Sequence, residues 1–179
     1  VVEVLDGTFW KANKRIKSSK ILDIFFQAAD VDGMFNPFGH EALVASGLLP
    51  FELPMTIAHE MAHVRGYSNE GDANFIALMA CVNSRDPMVR YSGWLLLWQY
   101  LRSDKADELL EMGPRKDLAE IFNRRRDRRL NWLAKIQLNI LDLFLKTNRV
   151  EGGIASYGRI VVLAVGTEPS WRRFAEQDP

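Results

Sequence analysis

Two histidines stand four residues apart in Thr56-Ile57-Ala58-His59-Glu60-Met61-Ala62-His63-Val64-Arg65-Gly66, and a glutamate directly follows the first. On a helix, residues i and i+4 lie one above the other on the same face. Both imidazoles can therefore converge on one metal ion while Glu60 stands beside them. This is the His-Glu-x-x-His spacing of a zinc-dependent hydrolase, in which the histidines hold Zn2+ and the glutamate acts as general base on a water molecule. The chain has only three histidines, and the remaining one, His40, lies upstream of the pair.

A catalytic zinc usually takes three protein ligands and keeps the fourth position for water. Asn69 occupies the place that a His-Glu-x-x-His-x-x-Gly-x-x-His pattern would give to a third histidine, and an amide is a poor zinc ligand. Glu70 and Asp72 are the nearby carboxylates. Glu70 is the expected third ligand, because it stands one helical turn before Asn74 and the small Ala73 between them lets a second helix approach the first. Asp72 is the alternative. Its competing role is to support a helix N-terminus, where negative charge is favoured. Asn74 is expected to accept the outer N–H of a ligating histidine and so fix that ring's tautomer. Tyr157 and Tyr91 are candidate donors to an oxyanion, with Arg159 and Arg90 behind them.

These side chains need two helices to carry them. Pro54 suits the first turn of a helix and Gly66 the position just past its end, so the histidine pair sits in a short, well-punctuated helix. Asn69 can cap the next helix, with Asp72 at its third position, and Ala73, Phe75, Ile76, Ala77, Met79 and Ala80 make that segment largely apolar. Upstream, Val2, Leu5, Phe9 and Trp10 recur at roughly helical spacing. The compact run Ile21–Phe26 reads as a strand ending at the turn-like Asp30-Val31-Asp32-Gly33. After a second turn at Asn36-Pro37-Phe38-Gly39, Glu41–Ser46 is expected to return beside it as an antiparallel partner. Downstream, Asp86-Pro87 opens a helix, Lys105–Met112 forms a short one closed by Gly113-Pro114, and Lys116 to Lys146 reads as one long helix. Leu133, Ile136, Ile140 and Leu143 or Phe144 form the expected core stripe of that helix. Arg124, Arg125, Arg126, Arg128 and Arg129 form a cluster for which pairing with nearby acids is favoured over phosphate or headgroup contact.

Length and composition fit a single globular domain: 179 residues, 47% hydrophobic and 26% charged. The zero formal net charge gives no global field for attracting nucleic acid. One cysteine, Cys81, allows no internal disulfide and no cysteine-based zinc cluster. No segment has the ~20 consecutive apolar residues that a membrane-crossing helix needs.

Taken together, Asn36-Pro37-Phe38-Gly39-His40-Glu41-Ala42, the histidine motif, Glu70–Ala77, Arg90-Tyr91-Ser92-Gly93, and Leu145–Asn148 through Ser156–Arg159 resemble the bacterial domain-of-unknown-function family 3810. The likeness runs over nearly the whole chain from about residue 30. It implies a zinc metallopeptidase domain with a peptide or protein substrate. In the full-length protein, N-terminal membrane helices outside this chain would anchor it. The block Glu70–Phe75 is also similar to the third-ligand helix of glutamate zincins. Two positions depart from the family's tendency, Asp72 for a second glutamate and His40 for a small polar residue, and neither is an expected ligand.

The expected architecture is therefore a mainly helical α+β domain of the zincin kind over residues 1–179. Residues 1–50 supply a helix and a small antiparallel sheet, 51–84 the active-site and ligand helices, and 85–179 a helical part behind them. The expected function is zinc-dependent peptide-bond hydrolysis. Its rivals are a catalytically inactive metal-binding scaffold or regulatory module of a membrane protein, and a membrane-surface or nucleic-acid adaptor working through Lys11 to Lys20 and the arginine cluster.

Overall fold

The computed structural model describes residues 16–18, 20–101, 108–147 and 159–175. The expected helix before residue 15, the first part of the one expected from Lys105, and Tyr157 lie outside them. The described architecture is predominantly helical α+β with one small three-stranded sheet.

The chain begins with β1 (Ile16–Lys17) and α1 (Lys20–Ala29) and continues through β2 (Gly33–Asn36) and β3 (Glu41–Val44). The strand expected over Ile21–Phe26 is thus a helix. A short apolar run can serve either element, and here the burial follows a helical period. Asp23, Phe26 and Ala29 are buried, whereas Ile21 and Ile24 are 82% and 74% exposed. Asp23 locks the helix to the loop after β3, accepting from the Ser46 backbone N–H at 2.8 Å and from its hydroxyl at 2.6 Å.

The sheet order is β1-β3-β2, with β1 parallel and β2 antiparallel to β3. It is therefore mixed rather than antiparallel, and the hairpin partner of β3 is β2, not the 21–26 run. The expected turn at Asn36–Gly39 does join the two. The Asn36 side chain accepts from the Phe38 N–H and donates to Glu41. His40 closes the hairpin in the left-handed region at φ 50°, with its ring 5.6 Å from that of Phe35.

Helices α2 (Leu53–Val64) and α3 (Glu70–Val82) follow, with α4 (Pro87–Leu101) behind them. Pro54 sits in the first turn of α2, and the otherwise unpaired Met55 N–H donates to Ser92 of α4 at 3.0 Å. At the other end the Gly66 N–H bonds the His63 carbonyl and the Tyr67 N–H the Ala62 carbonyl, with Gly66 at φ +97°. This is a Schellman motif, which ends the helix on a left-handed glycine. Asn69 caps α3 by accepting from Asp72 N–H, as expected. Ala58, Met61 and Ala62 of α2 and Ala73, Ala77, Leu78, Ala80 and Cys81 of α3 are fully buried, so small side chains let the helices approach closely. Gly93 does the same for α4, since a Cβ there would lie 2.7 Å from the Cβ of Cys81.

The long helix expected over 116–146 is two, α5 (Met112–Arg128) and α6 (Asn131–Thr147), followed by α7 (Arg159–Ala175). The break carries no glycine or proline. Arg129 is extended, the Leu130 N–H bonds the Ala28 carbonyl at 2.9 Å, and Arg129 pairs with Asp30, so tertiary contacts to the end of α1 interrupt the helix. Gly113-Pro114, expected to close a helix, instead lies in the first turn of α5, where a missing N–H costs nothing. In α6 the inward side carries Leu133 and Ala134, while Ile136, Ile140 and Leu143 of the expected core stripe are exposed. Ile160 and Ala164 of α7 complete the central core formed by α2, α3 and α4.

Candidate metal centre

The centre is built where α2 and α3 face each other. His59 and His63, one turn apart on α2, point toward Glu70 in the first turn of α3. Their ligand atoms, together with a Glu70 oxygen, all lie within 4.8 Å of one another. His59 Nε2 and His63 Nε2 are 3.0 Å apart, and Glu70 Oε2 is 3.2 Å from the first and 3.4 Å from the second. Glu70 is 8% exposed. Three donor atoms of the hard and borderline type therefore converge in a largely buried place and could hold a metal ion.

The tautomers support that use. His63 Nδ1 lies 2.6 Å from the Tyr67 carbonyl oxygen, which can only accept, so Nδ1 carries a proton and Nε2 is the nitrogen that faces the cluster and would give its lone pair to a metal on losing its proton. His59 Nδ1 is buried without a hydrogen-bond partner among the described residues. Burial alone would lower the His63 pKa, but the bond and charge of Glu70 outweigh it and raise the value above 6.5. Burial would likewise raise Glu70, yet the two histidines hold its carboxyl far below the ordinary carboxylate range. Positive charge is thus strongly favoured at the point where these atoms meet.

Glu60 lies next to the cluster rather than in it. It is 5% exposed, its Oε2 has no hydrogen-bond partner among the described residues, and burial together with the charges of Glu70 and Asp32 pushes its pKa up. Its stem rests on the backbone of β2. A Cβ at Gly33 would come within 2.8 Å of both Cγ and Oε1 of Glu60, so only glycine leaves room for it there.

The other expected site residues lie elsewhere. Asn74 is buried one turn after Glu70, but its amide donates to the Tyr100 hydroxyl at the end of α4, at 3.2 Å, instead of meeting a histidine. The outer partner of His63 is a backbone carbonyl, which no side-chain pattern could announce, although the glycine after the helix marks the turn that supplies it. Asp72 pairs with Arg159 at 3.5 Å and supports the start of α3, outside the donor triplet. The Tyr91 hydroxyl, expected as an oxyanion donor, donates instead to Asp117, within a separate cluster around Leu95, Leu118 and Ile121. Arg90 is taken up by the carbonyls of Ser84 and Arg85. The arginine cluster is engaged by acids as expected: Arg124 by Asp32 and Glu52, Arg125 by Asp30 and Asp32, and Arg129 by Asp30.

Comparison with known families matches the chain, over residues 5–165, to the family described as "Protein of unknown function (DUF3810)". The chain belongs to this family. The match spans both helices of the donor triplet and the β2–β3 hairpin, so in this DUF3810 chain the centre lies inside the family's common region. No curated protein and no solved structure matches.

Proposed function

We propose that this DUF3810 chain is a zinc-dependent metallopeptidase with a zincin-like active site. One observation carries the reading: His59, His63 and Glu70 converge within 4.8 Å, and beside them stands a buried glutamate, Glu60, whose Oε2 is unpartnered among the described residues. A structural metal site has no use for Glu60, whereas a hydrolase needs a carboxylate of raised pKa beside its metal. When bound, zinc supplies Lewis-acid polarisation and lowers the pKa of water to about 7. Glu60 then takes a proton from the attacking water and delivers it to the amine nitrogen that leaves. His63, with its tautomer fixed by the Tyr67 carbonyl, and Glu70, held by α3, keep the donor triplet in register.

An extended substrate backbone needs a free strand edge. Glu41–Ser46 contains the central strand β3, whose two edges are taken by β1 and β2, so it has no free edge to offer. The strand suited to this role is β2, which lies at the edge of the sheet and touches Glu60 through Gly33. Membrane anchoring of the full-length protein rests on the family resemblance alone; among the described residues no helix is long and apolar enough to cross a bilayer.

The test is metal analysis with peptide-library cleavage for the wild type, His59→Ala, Glu60→Gln and Glu70→Gln. Glu60→Gln is expected to keep zinc and lose cleavage, and the two ligand variants to lose or weaken metal binding. A zinc-loaded wild type that cleaves no peptide would leave the inactive scaffold as the better reading.

A further inference from the structure

Tyr100 is the residue near the centre that sequence spacing does not single out. It sits at the end of α4, half-buried, with its hydroxyl 3.2 Å from the Asn74 side-chain nitrogen. Asn74 lies on α3 one turn beyond Glu70, so residues on that face are about 5–6 Å apart at Cβ. Because Asn74 is the donor in this bond, the phenolic oxygen accepts and the Tyr100 proton is left to be given elsewhere. Burial and the negative charge of Glu70 raise the Tyr100 pKa, which keeps that proton in place at neutral pH. A phenol that accepts from an amide, keeps its own proton to donate and stands within the field of Glu70 has the attributes of a hydrogen-bond donor to developing negative charge.

We infer that the Tyr100 hydroxyl donates a hydrogen bond to the carbonyl oxygen of the scissile amide as that oxygen becomes an oxyanion, with Asn74 as the positioning residue that fixes the phenol. The inference rests on the peptidase reading. In the step concerned, the water oxygen bonds to the carbonyl carbon and the carbonyl π pair moves to oxygen, where Tyr100 meets it. Glu60 takes the water proton. When the C–N bond breaks, that proton goes to the amine nitrogen. Tyr100 keeps its own proton throughout.

The experiment compares zinc-loaded wild type, Tyr100→Phe and Asn74→Asp. Zinc content, kcat and KM on a cleaved library peptide, and calorimetric affinity for a phosphinic analogue of that peptide are measured for each. The phosphinic group presents the tetrahedral oxyanion without being cleaved. Tyr100→Phe is expected to retain zinc and KM, to lose about 100-fold or more in kcat, and to bind the phosphinic peptide weaker by a similar factor. Asn74→Asp removes the donor and offers the Tyr100 proton an acceptor, so phosphinic affinity should fall although the phenol is still present. Unchanged kcat and phosphinic affinity in a zinc-loaded Tyr100→Phe would overturn the role of Tyr100 while leaving the peptidase reading intact. A wild type that takes up zinc but neither cleaves peptide nor binds the phosphinic peptide would overturn both.

Discussion

The imidazole of His63 donates from Nδ1 to the carbonyl oxygen of Tyr67 across 2.6 Å, and that carbonyl is placed by the turn through Gly66 at φ +97°. The helix-ending motif and the orientation of a ring in the candidate donor triplet are therefore one piece of structure. Gly66→Ala puts a Cβ into a left-handed conformation that costs roughly 1–2 kcal/mol. It should lower stability by about that amount in urea unfolding. If the turn also aims His63, chelator competition should show metal affinity falling about tenfold or more. Lowered stability with unchanged affinity would confine the turn to ending the helix.

Gly33 and Glu60 make a second such pair. A methyl group at residue 33 would meet two Glu60 atoms at 2.8 Å, and the buried carboxylate could yield to it only by leaving its place. Gly33→Ala should therefore reduce kcat while zinc content stays at the wild-type level, since none of the donor triplet is touched. If cleavage were unaffected, Glu60 would have to act from another rotamer, and the β2 backbone would have no part in aiming it.

The centre is more legible in the sequence than the scaffold around it. His59, Glu60, His63 and Glu70 announce themselves because metal ligation needs fixed residue types at helical spacing, and the caps at Pro54, Gly66 and Asn69 are local chemistry. Residues 21–26 mislead because a six-residue apolar run satisfies a strand and a helix alike, and only the burial of Asp23, Phe26 and Ala29 decides between them. The split between α5 and α6 leaves no local mark either, because a backbone bond from Leu130 to Ala28 makes it. Spacing puts Asn74 on the correct turn but gives it the wrong partner: it says which residues of α3 share a face, not which neighbouring helix that face meets. Tyr100 escapes for the same reason, since its meeting with Asn74 depends on how α4 crosses α3.

Protons should compete with metal for the centre, and the direction follows from the shifts. The His63 pKa is raised above its ordinary 6.5, so its contribution to the metal-free protein's stability is complete below 6.5 and is lost as pH rises through the folded value. Glu70 is lowered from 4.5, so its contribution is present above 4.5 and is lost as pH falls through the folded value. Metal binding must displace the His63 proton, so zinc affinity should rise with pH up to the folded His63 value and level off above it. Calorimetry in buffers of different ionisation enthalpy should detect release of about one proton per zinc near pH 6.5. Absence of proton release there would mean that His63 is already neutral in the metal-free protein.

Arg124 ties α5 to the elements that carry the centre, bonding Asp32 before β2 at 2.8 Å and Glu52 before α2 at 2.7 Å. Its side chain is 13% exposed and that of Glu52 7%, so truncation leaves the poorly solvated Glu52 carboxylate without its cation and Asp32 with Arg125 alone. Arg124→Ala should cost about 3–5 kcal/mol, the range for removing one partner of a buried pair. The exposed Arg126, which pairs with its neighbour Asp127 and lies over the Phe122 ring, should change stability by no more than about 1 kcal/mol when replaced by alanine. Asp32 also acts on Glu60, and without Arg124 its charge is less compensated. The Glu60 pKa should then rise further, moving the acid limb of kcat/KM to higher pH in Arg124→Ala while Arg126→Ala leaves it in place. An unchanged acid limb in a folded Arg124→Ala protein would show that this ion cluster joins the helices without tuning the base.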